Sequence, residues 1–332
     1  MPLRDGLLGT IGNTPLIRMV SLSEATGCTI LGKAEHLNPG GSVKDRAARE
    51  IVLDAEADGR LGGDGPRELV EGTAGNTGIG LALVARARGY RCHIVMPDNQ
   101  SPEKIELLRT LGAELHLVPA KPFADPGNYY HVARRLAVEL GAFWADQFEN
   151  PSNTRAHERT TGPEILADAG HVDGFVATAG TGGTIAGVSR YLAEAQPRAH
   201  CWVIDCEGSS LYNHVTHGNL DADGSSSLEG IGIRRITANF AGARLHGAFV
   251  GRDVEAVEMC HWLLQRDGLF LGGSAGLGCV GAVKLARLLG PGATIVTILC
   301  DGGGRYASRL YDAHWLASKG LTPTATDLDF VS

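Results

Sequence analysis

An α/β fold with parallel or mixed sheets flanked by helices is what this 332-residue sequence predicts, and three observations carry that prediction. Strand-like apolar runs alternate with helix-like runs along the whole chain, the pattern of buried strands covered by helices. Glycine-rich turns recur where such a run passes into a helix. Glycine is abundant, at 46 residues, and follows no collagen-like period, so the excess serves turns and close backbone approaches.

Taken in order, Val43, Ala47, Ala48, Ile51, Val52 and Ala55 recur at helical spacing after the turn Asn38-Pro39-Gly40-Gly41-Ser42, so a helix opens at Lys44. Residues 92–96 form an apolar strand that Pro97 stops. Ser101 and Pro102 supply a cap and a first-turn proline for the next helix, which Gly112 closes. Residues 114–118 read as a strand and 128–140 as a helix. Residues 174–178, 200–205 and 294–299 are buried-strand candidates. The Asp-, Gly- and Ser-rich run 219–227 is expected to be a loop. The polar tail beyond Gly320, broken by Pro323, is expected to lie extended on the surface.

The length suits two α/β lobes rather than one small domain. A hydrophobic content of 43% with only 6% aromatic residues implies a core of Ala, Val, Leu and Ile. A net charge of −7 argues against nucleic-acid binding. No run approaches the length of a membrane span, and the start lacks the apolar core of a signal peptide. Seven cysteines without a Cys-x-x-Cys pair fit a reducing, cytoplasmic setting, and Cys92, Cys201 and Cys300 read as small core residues. His214 and His217 are spaced for one helical face but have no partners in a metal-ligand pattern, so no metal is expected.

Lys44 is the first chemical candidate. A helix N-terminus and loss of hydration both disfavour an ammonium, and a neutral lysine is a nucleophile that condenses with an aldehyde. The plain alternative is a solvated lysine at a helix start. The turn Gly180-Thr181-Gly182-Gly183-Thr184 can bring backbone amides and a helix N-terminus to a phosphate. A dinucleotide turn is the competing reading, kept open by Asp205. It is weakened because the place of the third glycine holds Ile185. No Gly-Lys-Ser/Thr follows, which excludes a Walker loop.

Four pieces stand in order: Asn38 to Arg46, Glu71-Gly72-Thr73-Ala74-Gly75-Asn76-Thr77-Gly78, the 180–184 turn, and Gly272-Gly273-Ser274-Ala275-Gly276. Together they resemble the fold-type II pyridoxal-phosphate (PLP) enzymes of the cysteine synthase and cystathionine β-synthase family, which are tryptophan synthase β-like. The resemblance runs from Ile11-Gly12-Asn13-Thr14-Pro15 to Cys300-Asp301-Gly302-Gly303-Gly304-Arg305-Tyr306. It implies a smaller mobile lobe over 37–152 carrying the substrate loop. The larger lobe would span 153–332 with the phosphate cradle, and a crossover segment 13–36 would join it.

The resemblance also implies the site. Lys44 would form the Schiff base with PLP and then act as general base. Gly180, Thr181, Gly182, Gly183 and Thr184 would cradle the phosphate. Asn76 would meet the phenolic oxygen, and Ser274 would lie beside the ring nitrogen, unless it serves only as a helix cap. Thr73, Ala74, Gly75, Thr77 and Gln147 would bind the substrate carboxylate, with Gly230 on the opposite wall in Glu229-Gly230-Ile231-Gly232. The family commonly has a serine where this chain has Ala74. One lost neutral hydrogen bond costs about 0.5–1.5 kcal/mol, enough to weaken substrate binding but not to abolish activity.

The activity so implied is β-replacement on an O-activated L-serine, first of all cysteine synthase (O-acetylserine and sulfide). The alternatives are cystathionine β-synthase with serine and homocysteine, a cysteine desulfhydrase, and an amine-using diaminopropionate-type synthase. An NAD-dependent dehydrogenase or a catalytically silent scaffold is a remote alternative. The expected partners are a small amino acid, a small nucleophile (sulfide or a thiol) and a second copy in a homodimer.

Overall fold

The computed structural model describes residues 3–73, 75–100 and 102–332. Ten strands make two sheets: β1 (Leu16–Arg18), β2 (Thr29–Lys33), β3 (Glu68–Gly72), β4 (Arg91–Pro97), β5 (Glu114–Val118), β6 (Phe143–Trp144), β7 (Gly174–Thr178), β8 (His200–Cys206), β9 (Gly247–Gly251) and β10 (Thr294–Ile298). The six-stranded sheet has the order β1-β2-β10-β7-β8-β9, and the four-stranded sheet β5-β4-β3-β6. Every pairing is parallel except β1 with β2. Parallel strands covered on both faces need apolar side chains on both, and all five residues of β7 are buried.

The helices that build the site are α1 (Lys44–Ala57), α2 (Asn76–Arg88), α3 (Pro102–Thr110), α4 (Tyr129–Leu140), α5 (Gly183–Ala195), α6 (Asp253–Asp267) and α7 (Gly273–Leu289). The spacing that predicted α1 marks its inner face: Ala47, Ala48, Ile51, Val52 and Ala55 are all buried. The Asn128 side chain accepts the Tyr130 amide at 3.0 Å and caps α4, and Gly141 ends it at φ +61°. The cap assigned to Ser101 lies outside the described residues.

The four-stranded sheet is packed on both faces, with Ile51, Leu69, Ile79, Leu81 and Ile94 in one cluster and Val70, Val95, Ala133 and Ala137 in the other. The six-stranded sheet is packed on both faces. Trp262, Leu277 and Val283 lie in one of its clusters, and Phe175, Ile185 and Val188 in the other.

Two expectations need correction. The tail is not simply draped on the surface: Leu328 and Val331 are buried in the core beside α6 and α7. The Thr324 and Ala325 amides both donate to Glu258 at 2.9 Å, and Arg287 donates to the Leu328 and Val331 carbonyls. Leu321, Ala325 and Phe330 pack on the same core, so apolar contacts along the whole tail pin it. Cys92 and Cys201 are buried in strands, but Cys300 lies two residues past the end of β10 and borders a cavity.

Among the described residues no helix is long and apolar enough to cross a membrane.

Candidate active site

Parallel strands direct the turns that follow them to one edge, and a crevice there is the usual ligand position in open α/β sheets. Here the turns after β3, β7 and β10 meet around a cavity of about 270 Å³. Of the residues singled out from the sequence, Lys44, Thr73, Gly75, Asn76, Thr77, Gln147, Gly180, Thr181, Thr184, Gly230 and Ser274 all line it. Gly182 and Gly183 sit at the turn into α5. Ala74 lies outside the described residues.

Lys44 is the first residue of α1; part of its surface faces the cavity and protein encloses the rest. Burial pushes its ammonium below the ordinary lysine range, against the opposing pull of Cys300 and Asp301. This is the environment a nucleophilic amine needs, so the solvated-lysine alternative falls.

The 180–184 turn is held from three sides. A Cβ on Gly180 would stand 2.5 Å from the Gly230 carbonyl oxygen. Gly182 adopts φ +86°, where a Cβ would meet the Phe240 backbone at 2.6 Å. Thr181 receives the Asn153 amide at 3.0 Å on its hydroxyl and the Thr237 hydroxyl at 2.7 Å on its carbonyl. The first amides of α5 have no carbonyl within the helix to bond. Glycines that admit only backbone, followed by free helix-start amides, suit a phosphate dianion.

Thr184 Oγ1 lies 3.1 Å from His157 Nε2, and His157 Nδ1 lies 2.9 Å from Thr161 Oγ1. His157 is completely buried in a π-helical turn, His157–Thr161. Burial, then the Arg46 and Lys44 charges, holds its imidazole well below the usual range, so it is neutral at physiological pH.

Ser274 is buried in the first turn of α7, whose cap position belongs to Gly272, so capping is not its role. Its hydroxyl bonds the Cys300 thiol, which burial raises to about 11.

Asn76 opens α2 with its amide fixed in orientation. Nδ2 donates to Asp301 Oδ2 at 2.7 Å, and Oδ1 accepts from Arg305 Nη1. Arg305 also donates to the Gly40 carbonyl, and the Tyr306 hydroxyl donates to Asp301 Oδ2 at 2.6 Å. The other Asp301 oxygen is buried without a partner.

Thr77 Oγ1 donates to Gln147 Oε1 at 2.5 Å, while Gln147 Nε2 donates to Glu71 Oε1 at 3.0 Å and to the Gly72 carbonyl at 3.1 Å. Both amide hydrogens of Gln147 therefore go to the scaffold, and it acts on the cleft by fixing Thr77. Burial and then the Asp146 charge raise the Glu71 carboxyl to about 8.

At the mouth, Lys104 of α3 pairs with Glu229, which also pairs with Arg309, and the Lys104 ammonium stands 4.8 Å from the Tyr306 ring centre. Asp301, Arg305, Tyr306, His157 and Lys104 were not singled out from sequence. For Asp301, Arg305 and Lys104 the partners lie far away along the chain, 225 residues for Asn76 and Asp301.

A depressed lysine at a helix mouth, a glycine turn suited to phosphate and a hydroxyl near a third helix start fit an enzyme whose cofactor carries an aldehyde and a phosphate. Comparison with known proteins gives the family. Residues 7–301 match the model described as pyridoxal-phosphate dependent enzyme, and the chain belongs to that family. It is 52% identical over 324 residues to a cysteine synthase of Dictyostelium discoideum, covering 94% of this chain and 85% of that protein. Among solved structures it superposes on an O-ureido-L-serine synthase with a TM-score of 0.85 and 35% identity, covering 95% of this chain and all of that one. An O-acetylserine-dependent cystathionine β-synthase from Helicobacter pylori gives a TM-score of 0.84 at 33% identity, covering 93% and 99%. The chain is therefore a PLP-dependent enzyme of fold type II.

Proposed function

We propose that this enzyme is a cysteine synthase, converting O-acetyl-L-serine and sulfide to L-cysteine and acetate. The observation that carries the proposal is 52% identity to a protein of that name over nearly the whole chain, together with a cleft that holds Lys44 in low-pKa surroundings.

Bound PLP supplies an aldehyde for a substrate amine and a ring that withdraws electrons from the α-carbon, so that a β-substituent can leave. The chain's own groups do the rest. Lys44 Nζ anchors the aldehyde, then takes the α-proton and later returns it, a task for which a lowered pKa suits the amine. The 180–184 turn and the α5 amides would hold the phosphate. Ser274 would offer the ring nitrogen a neutral hydroxyl, which does not force its protonation. Asn76, oriented by Asp301 and Arg305, would serve the phenolic oxygen. Thr73, Gly75 and Thr77, with the α2 N-terminus behind them, receive the substrate carboxylate. Acetate leaves the β-carbon and hydrosulfide takes its place.

The unit built on the four-stranded sheet, 37–152, acts as the smaller lobe. It closes on the amino acid and keeps water from the reacting carbon. Seven unpaired cysteines, six of them buried, fit a reducing compartment, and we place the enzyme in the cytoplasm as a homodimer.

The test is turnover of O-acetylserine by the PLP-loaded protein with sulfide and, separately, with homocysteine. Cysteine formation far faster than cystathionine formation is expected. Cystathionine as the main product, or activity with serine and not O-acetylserine, would overturn the assignment.

A further inference from the structure

Outside the cleft, Arg235 is held in an unusual way. It lies on the segment after β8, on the six-stranded side, and follows Gly230 and Gly232 of the cleft wall. Its guanidinium carbon stands 4.4 Å from the ring centre of Phe123, 5.1 Å from Phe148 and 5.2 Å from Tyr130. All three rings belong to the four-stranded side: Phe123 follows β5, Tyr130 is on α4 and Phe148 follows β6. The rings also pack on one another, with Tyr130 5.4 Å from Phe123 and 5.7 Å from Phe148. Arg235 Nη1 donates to Glu149, whose other oxygen accepts the Ala238 amide at 2.8 Å.

This cage reaches the chemistry through Phe148. Phe148 borders the cavity and directly follows Gln147, the residue that fixes Thr77. Its carbonyl accepts Asn239 Nδ2 at 2.8 Å. Arg235 itself does not touch the cavity. Its side chain is only 20% exposed, so the cation faces the rings largely without water between, where such contacts are strongest. Phe123 is 44% exposed, and among the described residues its ring contacts besides the cation are with Tyr130 and His131 of its own unit, at 5.4 and 4.8 Å, so Arg235 is what ties it to the opposite side.

We propose that Arg235 is a positioning residue: it latches the Phe123–Tyr130–Phe148 wall of one unit to the loop of the other, and so sets how firmly the cleft holds its amino-acid substrate. The substrate named below rests on the cysteine synthase proposal; the latch does not.

The test compares Arg235→Ala, Arg235→Lys, Phe123→Ala and the Arg235→Ala/Phe123→Ala double variant. Arg234→Ala is the control, because Arg234 is exposed and its bonds go to the Gly208 and Gly224 carbonyls. Two quantities are read on the PLP-loaded protein: steady-state constants for O-acetylserine, and backbone hydrogen exchange over residues 119–131. Arg235→Ala should raise KM about tenfold, equivalent to about 1.4 kcal/mol, with kcat within about twofold of wild type. Arg235→Lys, keeping the charge but not the planar fork, should fall between, and Arg234→Ala should match wild type. Phe123→Ala should raise KM comparably, and the double variant should be no worse than either single one. Exchange over 119–131 should quicken in Arg235→Ala.

Unchanged KM, additive single effects, or a loss that tracks a lowered melting temperature would overturn the latch. If wild-type protein ignores O-acetylserine, the substrate assignment fails by itself. The exchange result then decides the latch: faster in Arg235→Ala supports it, and identical exchange refutes it.

Discussion

Replacing Arg46 with alanine should cost more stability than any other single change near the site. Arg46 is completely buried two residues after Lys44. Its Nε and Nη2 donate to the two Glu35 oxygens at 2.7 and 2.8 Å, and Nη1 and Nη2 donate to Glu164 at 2.8 and 2.7 Å. Removing it leaves two inward carboxylates, of which Glu164 keeps Lys33 at 3.0 Å while Glu35 keeps the neutral donors Thr14 and Asn38. Breaking one side of a buried ion network costs about 3–5 kcal/mol.

A second route gives a similar size. Burial by itself would raise the Glu164 carboxyl, but bonds and charge from Arg46, with Lys33, outweigh it and hold the group at about 2 against an ordinary 4.5. That difference corresponds to about 3 kcal/mol of folded-state preference for the ionised form. Because the folded value is depressed, the contribution is complete above about pH 4.5 and is lost as pH falls towards 2.

The assay is urea unfolding of PLP-saturated wild type and Arg46→Ala at pH 7, followed by acid titration watched by circular dichroism. Arg46→Ala should lose about 3–5 kcal/mol and begin acid unfolding at higher pH. A loss under about 1 kcal/mol, or an unmoved acid limb, would refute the network as the anchor of the Lys44 helix.

Two further outcomes follow from the same geometry. Asp301→Asn keeps the volume but can replace the carboxylate oxygen that accepts the Asn76 and Tyr306 bonds with an amide nitrogen, so kcat/KM should fall roughly ten- to hundredfold with PLP retained. Since Asp301 pulls the Lys44 pKa upward, its loss should also move the acidic limb of the kcat profile to lower pH; an unmoved limb would detach Asp301 from Lys44. The Glu71 carboxyl is raised from 4.5 to about 8, so the folded state keeps a proton that the unfolded chain releases. The stability it contributes is full below pH 4.5 and lost as pH rises through 8. Melting temperature should therefore fall from pH 5 to 9, and less steeply in Glu71→Gln. Asp45, raised by burial to about 7, supplies a residual slope.

What the sequence made legible was local. Glycine turns at strand ends, the start of α1 and the strands β4, β5, β7 and β10 are set by patterns within about ten residues, whereas most of the cleft lining came from the family resemblance that those turns carry. What it hid was tertiary pairing. Nothing near Asn76 announces Asp301, nothing near Arg46 announces Glu164, 118 residues on, and Lys104 meets Glu229 across 125. Gln147 shows the same limit inside a recognised motif, since its orientation is decided by Glu71 from a neighbouring strand. Cys300 was misread because β10 ends at Ile298, two residues before it, leaving the thiol at the cavity. The tail was misread because its apolar residues, Leu321, Leu328, Phe330 and Val331, follow neither a helical nor a strand period.

The covalent role of Lys44 is tested most directly by borohydride reduction of the PLP-loaded protein, followed by peptide mass analysis of wild type and Lys44→Ala. One phosphopyridoxyl group on the peptide containing Lys44, absent from the variant, is the expected result. The same group on Lys33 or Lys104 instead, or no adduct in a protein that has taken up PLP, would contradict it.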